Sequence, residues 1–266
     1  MSFGVARVVA RVAVPARSVA HRAYHRLAAI NYDREWLVRE NRTPAGSFRC
    51  YEPLNRHGGD EMLAELDDAC GSDAVVFDVG ANVGIYALAL ASDEPGRRII
   101  AFEPSPPTVD RLVATVRLNG LDDRIDVRPH GIGEEDGDRP FYRSSNAELS
   151  AFDRESATRW GATVVDIRRV PVRSLDGLVC AREDETERDR EPLPAPDAVK
   201  VDVEGAAPAV LRGARELLAR YRPLVFVEIH EDGLDRDAPG ETRAVLNSCG
   251  YRVRERAGYW RCDPLK

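Results

Sequence analysis

Lysine is almost missing from this 266-residue chain: Lys200 and Lys266 are present, and every other base is arginine. Such a skew reflects genome composition more than chemistry, but it makes Lys200 conspicuous. Cysteine is scarce in another sense. Cys50, Cys70, Cys180, Cys249 and Cys262 are odd in number and far apart, with no C-x-x-C pair and no histidine cluster at ligand spacing, which argues against a zinc site or a disulfide framework and for a reduced, cytoplasmic compartment. No metal is implied. Long apolar runs are lacking as well: nothing approaches the roughly 20 residues that cross a bilayer, and arginines interrupt the N-terminal apolar residues too often for a signal-peptide core. A positive surplus is also absent, because 38 bases face 45 acids for a net charge of −7. An acidic body disfavours non-specific contact with phosphate backbones, so no nucleic-acid partner is expected.

What is present suits one α/β domain with additions, and 43% apolar content is enough for a sizeable core. The expected division is an N-terminal helical extension and entry segment over 1–72, then a catalytic domain over 73–266 with a charged, proline-rich insertion near 181–197. Residues 1–32 carry Arg7, Arg11, Arg17, Arg22 and Arg26 without an acid, in a rough helical pattern broken at Pro15. Two readings stay open for this segment. One is a basic helix making weak contact with the inner face of an anionic membrane; the other, favoured because termini are commonly irregular, is a helix packed on its own domain or a partner, or a frayed end.

The densest signal is Val75-Val-Phe-Asp-Val-Gly-Ala-Asn-Val-Gly84, a buried strand running into an Asp78-x-Gly80-x-Asn82-x-Gly84 turn. Glycines let backbone pass close to a ligand, and the next helix opens with free N–H groups. Glu103 ends the next predicted strand, Arg98 to Phe102, where a carboxylate can accept both hydroxyls of a ribose. A dinucleotide fingerprint needs glycine where Asn82 and Ile85 stand, which argues against NAD. Further on, Ser105-Pro106 predicts a helix start, and Val109, Leu112, Val113 and Val116 predict its sheet-facing side as far as Asn119-Gly120. A third strand is expected over Arg124 to Arg128. Residues 138–175 look irregular apart from a short strand near Arg169 to Leu175. Val199 to Val203 alternates as a strand, Gly205 opens one helix through Leu218, Leu224 to His230 reads as a strand, and Tyr251 to Cys262 reads as a hairpin.

Three blocks together resemble the FkbM family of S-adenosylmethionine-dependent methyltransferases: Phe77 to Gly84; Phe102-Glu-Pro-Ser-Pro106 with Leu118-Asn119; and Val199-Lys-Val-Asp-Val-Glu-Gly205 with Val210 to Ala214 and Phe226 to His230. The resemblance implies a Rossmann-like class I methyltransferase fold, a doubly wound, mostly parallel sheet, to which the residues themselves add the C-terminal antiparallel hairpin and the N-terminal helical extension. It also implies O-methylation of a sugar, glycolipid or related small acceptor. It places Gly80 and Gly84 along the methionine side of S-adenosylmethionine, Asp78 and Asn82 at its amino-acid group, and Glu103 at its ribose. The family commonly has Glu two residues after Gly205, where this chain has Ala207.

Methyl transfer to a hydroxyl needs alignment, exclusion of water and a base. Asp202 is the first candidate base and Glu204 the second, both at the end of a strand. His230 competes because an imidazole titrates near neutrality, and Lys200 would orient substrate or pair with an acid. Helix capping or ion pairing explains these acids equally well. Arg143, Arg154 or Arg159 would suit an acidic sugar, though surface solvation accounts for arginines too. A catalytically silent assembly or membrane-associated partner of the same fold is the alternative.

Overall fold

The computed structural model describes residues 23–180, 192–229 and 237–265. Most of the basic N-terminal segment, the core of the charged insertion and His230 therefore lie outside the described residues. A helix, α1, runs through residues 23–34. After it come the hairpin β1 (Arg39–Thr43) and β2 (Gly46–Cys50), α2 (Glu61–Ala69), β3 (Val75–Val79), α3 (Ile85–Asp93), β4 (Arg98–Phe102), α4 (Pro106–Asn119) and β5 (Ile125–Arg128). The second half holds β6 (Gly131–Ile132), β7 (Gly137–Ser144), α5 (Arg154–Ala157), β8 (Val164–Arg173), α6 (Leu175–Val179), β9 (Ala198–Val201), α7 (Ala207–Arg212), α8 (Arg215–Tyr221), β10 (Leu224–Glu228), α9 (Ala238–Ser248), β11 (Tyr251–Glu255) and β12 (Tyr259–Pro264).

Seven strands form the central sheet in the order β11-β12-β10-β9-β3-β4-β5. Six of them point the same way, five of these as parallel neighbours, and β12 runs antiparallel between β10 and β11. The chain winds outward from β3 through β4 to β5, then returns to β9 on the other side, so the strand order reverses between β3 and β9. In an open α/β sheet, that reversal leaves a crevice at the carboxyl ends of the strands.

Burial follows the period of two along each strand. Val76, Ile99 and Ala101 join Leu88 and Leu112 in one core, with Phe48 of the hairpin and Leu63 of α2. Phe77, Val79, Ile100 and Phe102 join Val199, Val201, Leu217 and Leu246 in the other. Helix α4 ends as expected at Gly120, in the left-handed region at φ 64°. Its buried face differs from the predicted one: Thr108 and Thr115 are buried with Leu112 and Val116, whereas Val109 and Val113 are only partly covered.

Other departures have identifiable causes. Residues 138–175 are more regular than expected, because β7 pairs antiparallel with β8, and β8 pairs parallel with β6, in a separate three-stranded sheet. The single helix expected from Gly205 is two, α7 and α8, broken at Gly213. A Cβ there would stand 2.0 Å from the Gly133 carbonyl oxygen, so the position admits only glycine, a weak helix former. Strand β9 stops at Val201, not Val203, and frees Asp202 and Glu204 for the crevice.

Candidate active site

Register builds the floor of the site. Asp78 on β3 stands directly beside Lys200 on β9, on the face opposite Phe77 and Val201. Lys200 Nζ lies 2.9 Å from Asp78 Oδ1 and 3.4 Å from Asp202 Oδ2, and it donates to the Gly80 carbonyl at 3.1 Å. Burial alone would lower the Lys200 ammonium, but Asp78 and Asp202 outweigh it and hold the group above its ordinary value. The ammonium also sits 5.0 Å from the centre of the Tyr86 ring, within cation–π range.

The turn above this floor is built by backbone. Gly80 N–H and Ala81 N–H both donate to the Phe102 carbonyl at 3.0 Å, stitching the end of β3 to β4. Gly80 adopts φ 77°, and a Cβ on it would lie 1.9 Å from the Asp202 carbonyl oxygen. Only glycine lets β3 and β9 part here without strain. Asn82 is itself left-handed at φ 50°. Its N–H donates to Glu103 Oε2 at 3.0 Å, while Ser105 N–H donates to Oε1 at 2.8 Å. Glu103 is thus pinned by two backbone donors at the tip of β4. Burial pushes its carboxyl up to about 7, against the lowering effect of the Ser105 and Asn82 N–H groups.

These groups line a cavity of about 720 Å³, whose wall includes Gly80, Asn82, Glu103, Lys200, Asp202, Glu204 and Glu228. Such a volume lies within the range of small-molecule sites. The far wall comes from the N-terminal segments: Tyr24, His25 and Tyr32 of α1, Arg56, His57 and Asp60 before α2, and Glu148 and Trp160 from the region between β7 and β8. Among the described residues, no group of three or more His, Cys, Asp or Glu is arranged to hold a metal. No helix among them is long and apolar enough to cross a membrane.

Several residues expected in the site stand elsewhere or are engaged differently. Gly84 is outside the cavity wall; its absent side chain makes room for Leu112, whose Cδ1 would be 2.2 Å from a Cβ. Asp78 is 1% exposed and lies beneath the cavity, so it supports the turn through Lys200 in place of reaching the amino-acid group of a ligand. Its Oδ2 is buried without a hydrogen-bond partner. Glu204 is ion-paired with the buried Arg159, which ties both groups to each other and weakens the case for either as base or anion receptor. Arg143 is paired with Asp166 at 3.0 Å. Asp202 lines the cavity but shares the Lys200 charge.

One cluster escaped the sequence reading. Asp60 caps α2 by accepting Leu63 N–H on Oδ1 at 3.0 Å, takes the Tyr86 hydroxyl on the same oxygen at 2.7 Å, and faces His57 Nδ1 with Oδ2 at 3.0 Å. Burial would raise its carboxyl, but the hydrogen bonds from His57, Leu63 and Tyr86 hold it below the usual carboxylate range. The only sequence signal was an H-x-x-D spacing ahead of a helix, which by itself marks no more than a cap.

The methyltransferase FkbM domain family matches residues 78–253. The hexuronic acid methyltransferase AglP of Haloferax volcanii is 30% identical over 65% of this chain and 63% of its own length, so the chain spans less than two thirds of that relative. The 31-O-demethyl-FK506 methyltransferase FkbM of Streptomyces tacrolimicus is 30% identical over 67% of this chain and 73% of its own. Among solved structures, a methyltransferase FkbM from Methylobacillus flagellatus superposes with a TM-score of 0.48 at 18% identity, covering 72% of this chain and 44% of that one.

Proposed function

The chain belongs to the methyltransferase FkbM family, and from that premise we propose that it moves a methyl group from S-adenosylmethionine to a hydroxyl of a sugar, glycolipid or related small acceptor. One observation carries the proposal: a carboxylate, Glu103, pinned by two backbone N–H groups in the wall of a cavity at the point where the strand order reverses. A fixed carboxylate suits two vicinal ribose hydroxyls because charge-assisted hydrogen bonds are strong and directional. The residues fit the nucleoside in other respects too. The Gly80 turn brings backbone to the cavity edge without side-chain bulk, and Asp202 and Glu228 supply negative charge for a sulfonium and an ammonium. The methyl donor supplies an activated carbon; the chain supplies alignment, a dry pocket and a proton acceptor.

Glu103 gives the proposal a pH signature. Its folded value of about 7 lies above the ordinary 4.5, so the folded protein binds the proton more readily than the unfolded chain does. Stability of the ligand-free protein is therefore lost as pH rises through that window. Ribose binding prefers the carboxylate, so affinity for S-adenosylmethionine rises between pH 6 and 8. Glu103→Gln turns an amide N–H₂ toward one of the two backbone donors and removes the charge. Calorimetry should show affinity at least about tenfold weaker, the equivalent of about 1.4 kcal/mol, with the pH dependence flattened.

AglP, a relative named for hexuronic acid, suggests the first acceptor to try. Wild-type protein incubated with methyl-labelled S-adenosylmethionine and D-glucuronic acid should yield alkali-stable label, the mark of an ether and not an ester. Label in no sugar, nucleotide-sugar or glycolipid acceptor would leave the catalytically silent partner protein as the better reading.

A further inference from the structure

Accepting the methyl-transfer reading, we propose that His57, oriented by Asp60, is the general base that deprotonates the acceptor hydroxyl. His57 Nδ1 lies 3.0 Å from Asp60 Oδ2. The carboxylate accepts there, so the ring proton stays on Nδ1 and Nε2 carries the lone pair. The His57 side chain is 34% exposed and belongs to the cavity wall that also holds Glu103 and Asp202. Asp60 in turn cannot swing away, because its other oxygen caps α2 and accepts the Tyr86 hydroxyl. Burial and the adjacent Asp60 carboxylate keep that hydroxyl protonated. Tyr86 lies over Lys200, which holds the Gly80 carbonyl. A continuous set of contacts thus fixes the imidazole relative to the turn beneath the methyl donor.

The other candidate groups are less suited. Asp202 shares Lys200, and Glu204 is bound to Arg159. His25 directs Nε2 toward Glu148 at 3.4 Å, a carboxylate that also binds Arg56 at 2.7 Å. In the step itself, the acceptor oxygen forms its bond to the methyl carbon as the carbon–sulfur bond breaks. The sulfur leaves as a neutral thioether carrying the bonding pair, the hydroxyl proton passes to Nε2, and the resulting imidazolium releases it to solvent.

The test uses the full chain. With D-glucuronic acid as acceptor, His57→Ala should lower kcat about 10²-fold, the low end of a general-base contribution. Its affinity for S-adenosylmethionine should stay within about twofold of wild type, and added imidazole should restore part of the rate. Independently of any acceptor, ¹⁵N spectra of the wild-type protein should show neutral His57 protonated on Nδ1. Asp60→Asn retains a good helix cap but should shift that tautomer. A His57→Ala rate within about threefold of wild type, or a ring protonated on Nε2, overturns the proposal. Failure of wild-type protein to bind S-adenosylmethionine would instead contradict the methyl-transfer reading, while the spectra still decide the dyad.

Discussion

Lys200→Ala should cost about 3–5 kcal/mol of folding stability, the usual consequence of deleting one member of a buried ion pair. Asp78 is 1% exposed and Lys200 2% exposed, so removing the ammonium strands a carboxylate where water cannot reach it. The loss is not the worth of the pair. Asp78→Leu combined with Lys200→Met removes both charges and should recover much of the deficit, since well-packed apolar replacements of buried pairs are often neutral. Urea denaturation of the wild type, Asp78→Leu, Lys200→Met and the double variant forms the double-mutant cycle. Because Lys200 is held above its ordinary 10.5 in the folded state, its contribution is complete below that value and is lost only as pH climbs past it. The Lys200→Ala deficit should therefore be the same at pH 7 and pH 9. The double variant should still bind S-adenosylmethionine poorly, because the Gly80 carbonyl has lost its Lys200 donor.

Gly80→Ala should abolish nucleoside binding, with affinity reduced beyond about 10³-fold or the domain unfolded at 25 °C. Two effects add. A side chain at φ 77° is strained by about 1–2 kcal/mol, and its Cβ would meet the Asp202 carbonyl oxygen at 1.9 Å. The obstacle is backbone, so no rotamer relieves it, and β9 must move away from β3 where the crevice opens. Gly120→Ala is the comparison: φ is 64° there, but a Cβ would meet nothing within 4 Å. That variant should lose only the conformational term and bind normally. Gly84→Ala should fall between, since the atom it meets is the end of the Leu112 side chain. Thermal melts and calorimetry on the three variants separate strain from collision.

The same residues show how far the fold could be read in advance. Strand β4 was legible to the residue and β3 from its first residue, because parallel strands covered on both faces are continuous apolar runs, and the Asp78 turn and Glu103 follow directly from their ends. The hairpin β1–β2 was not, because Arg39–Thr43 and Gly46–Cys50 are mostly polar and bury only Asn41, Phe48 and Cys50. The first half of strand β8 hid for a related reason: Val165 and Ile167 are exposed, so apolar alternation there does not mark a buried face. The need for glycine at 213 comes from Gly133, eighty residues earlier in the chain, and no local pattern reveals such an approach. In the site, the cofactor-side residues came from one local motif, whereas His57 and Asp60 acquire meaning only where the segment before α2 folds across the crevice. Asp78 and Glu204 were legible as charges but not as the pairs they form.

The central claim is that Glu103 and the Gly80 turn hold an adenosyl nucleoside. Titration of S-adenosylhomocysteine into wild type and Glu103→Gln, followed by calorimetry at pH 7.5, tests it most directly. The wild type should show a single saturable site, at least about tenfold weaker in the variant. Absence of binding to the wild type, or equal affinity in both proteins, would contradict it.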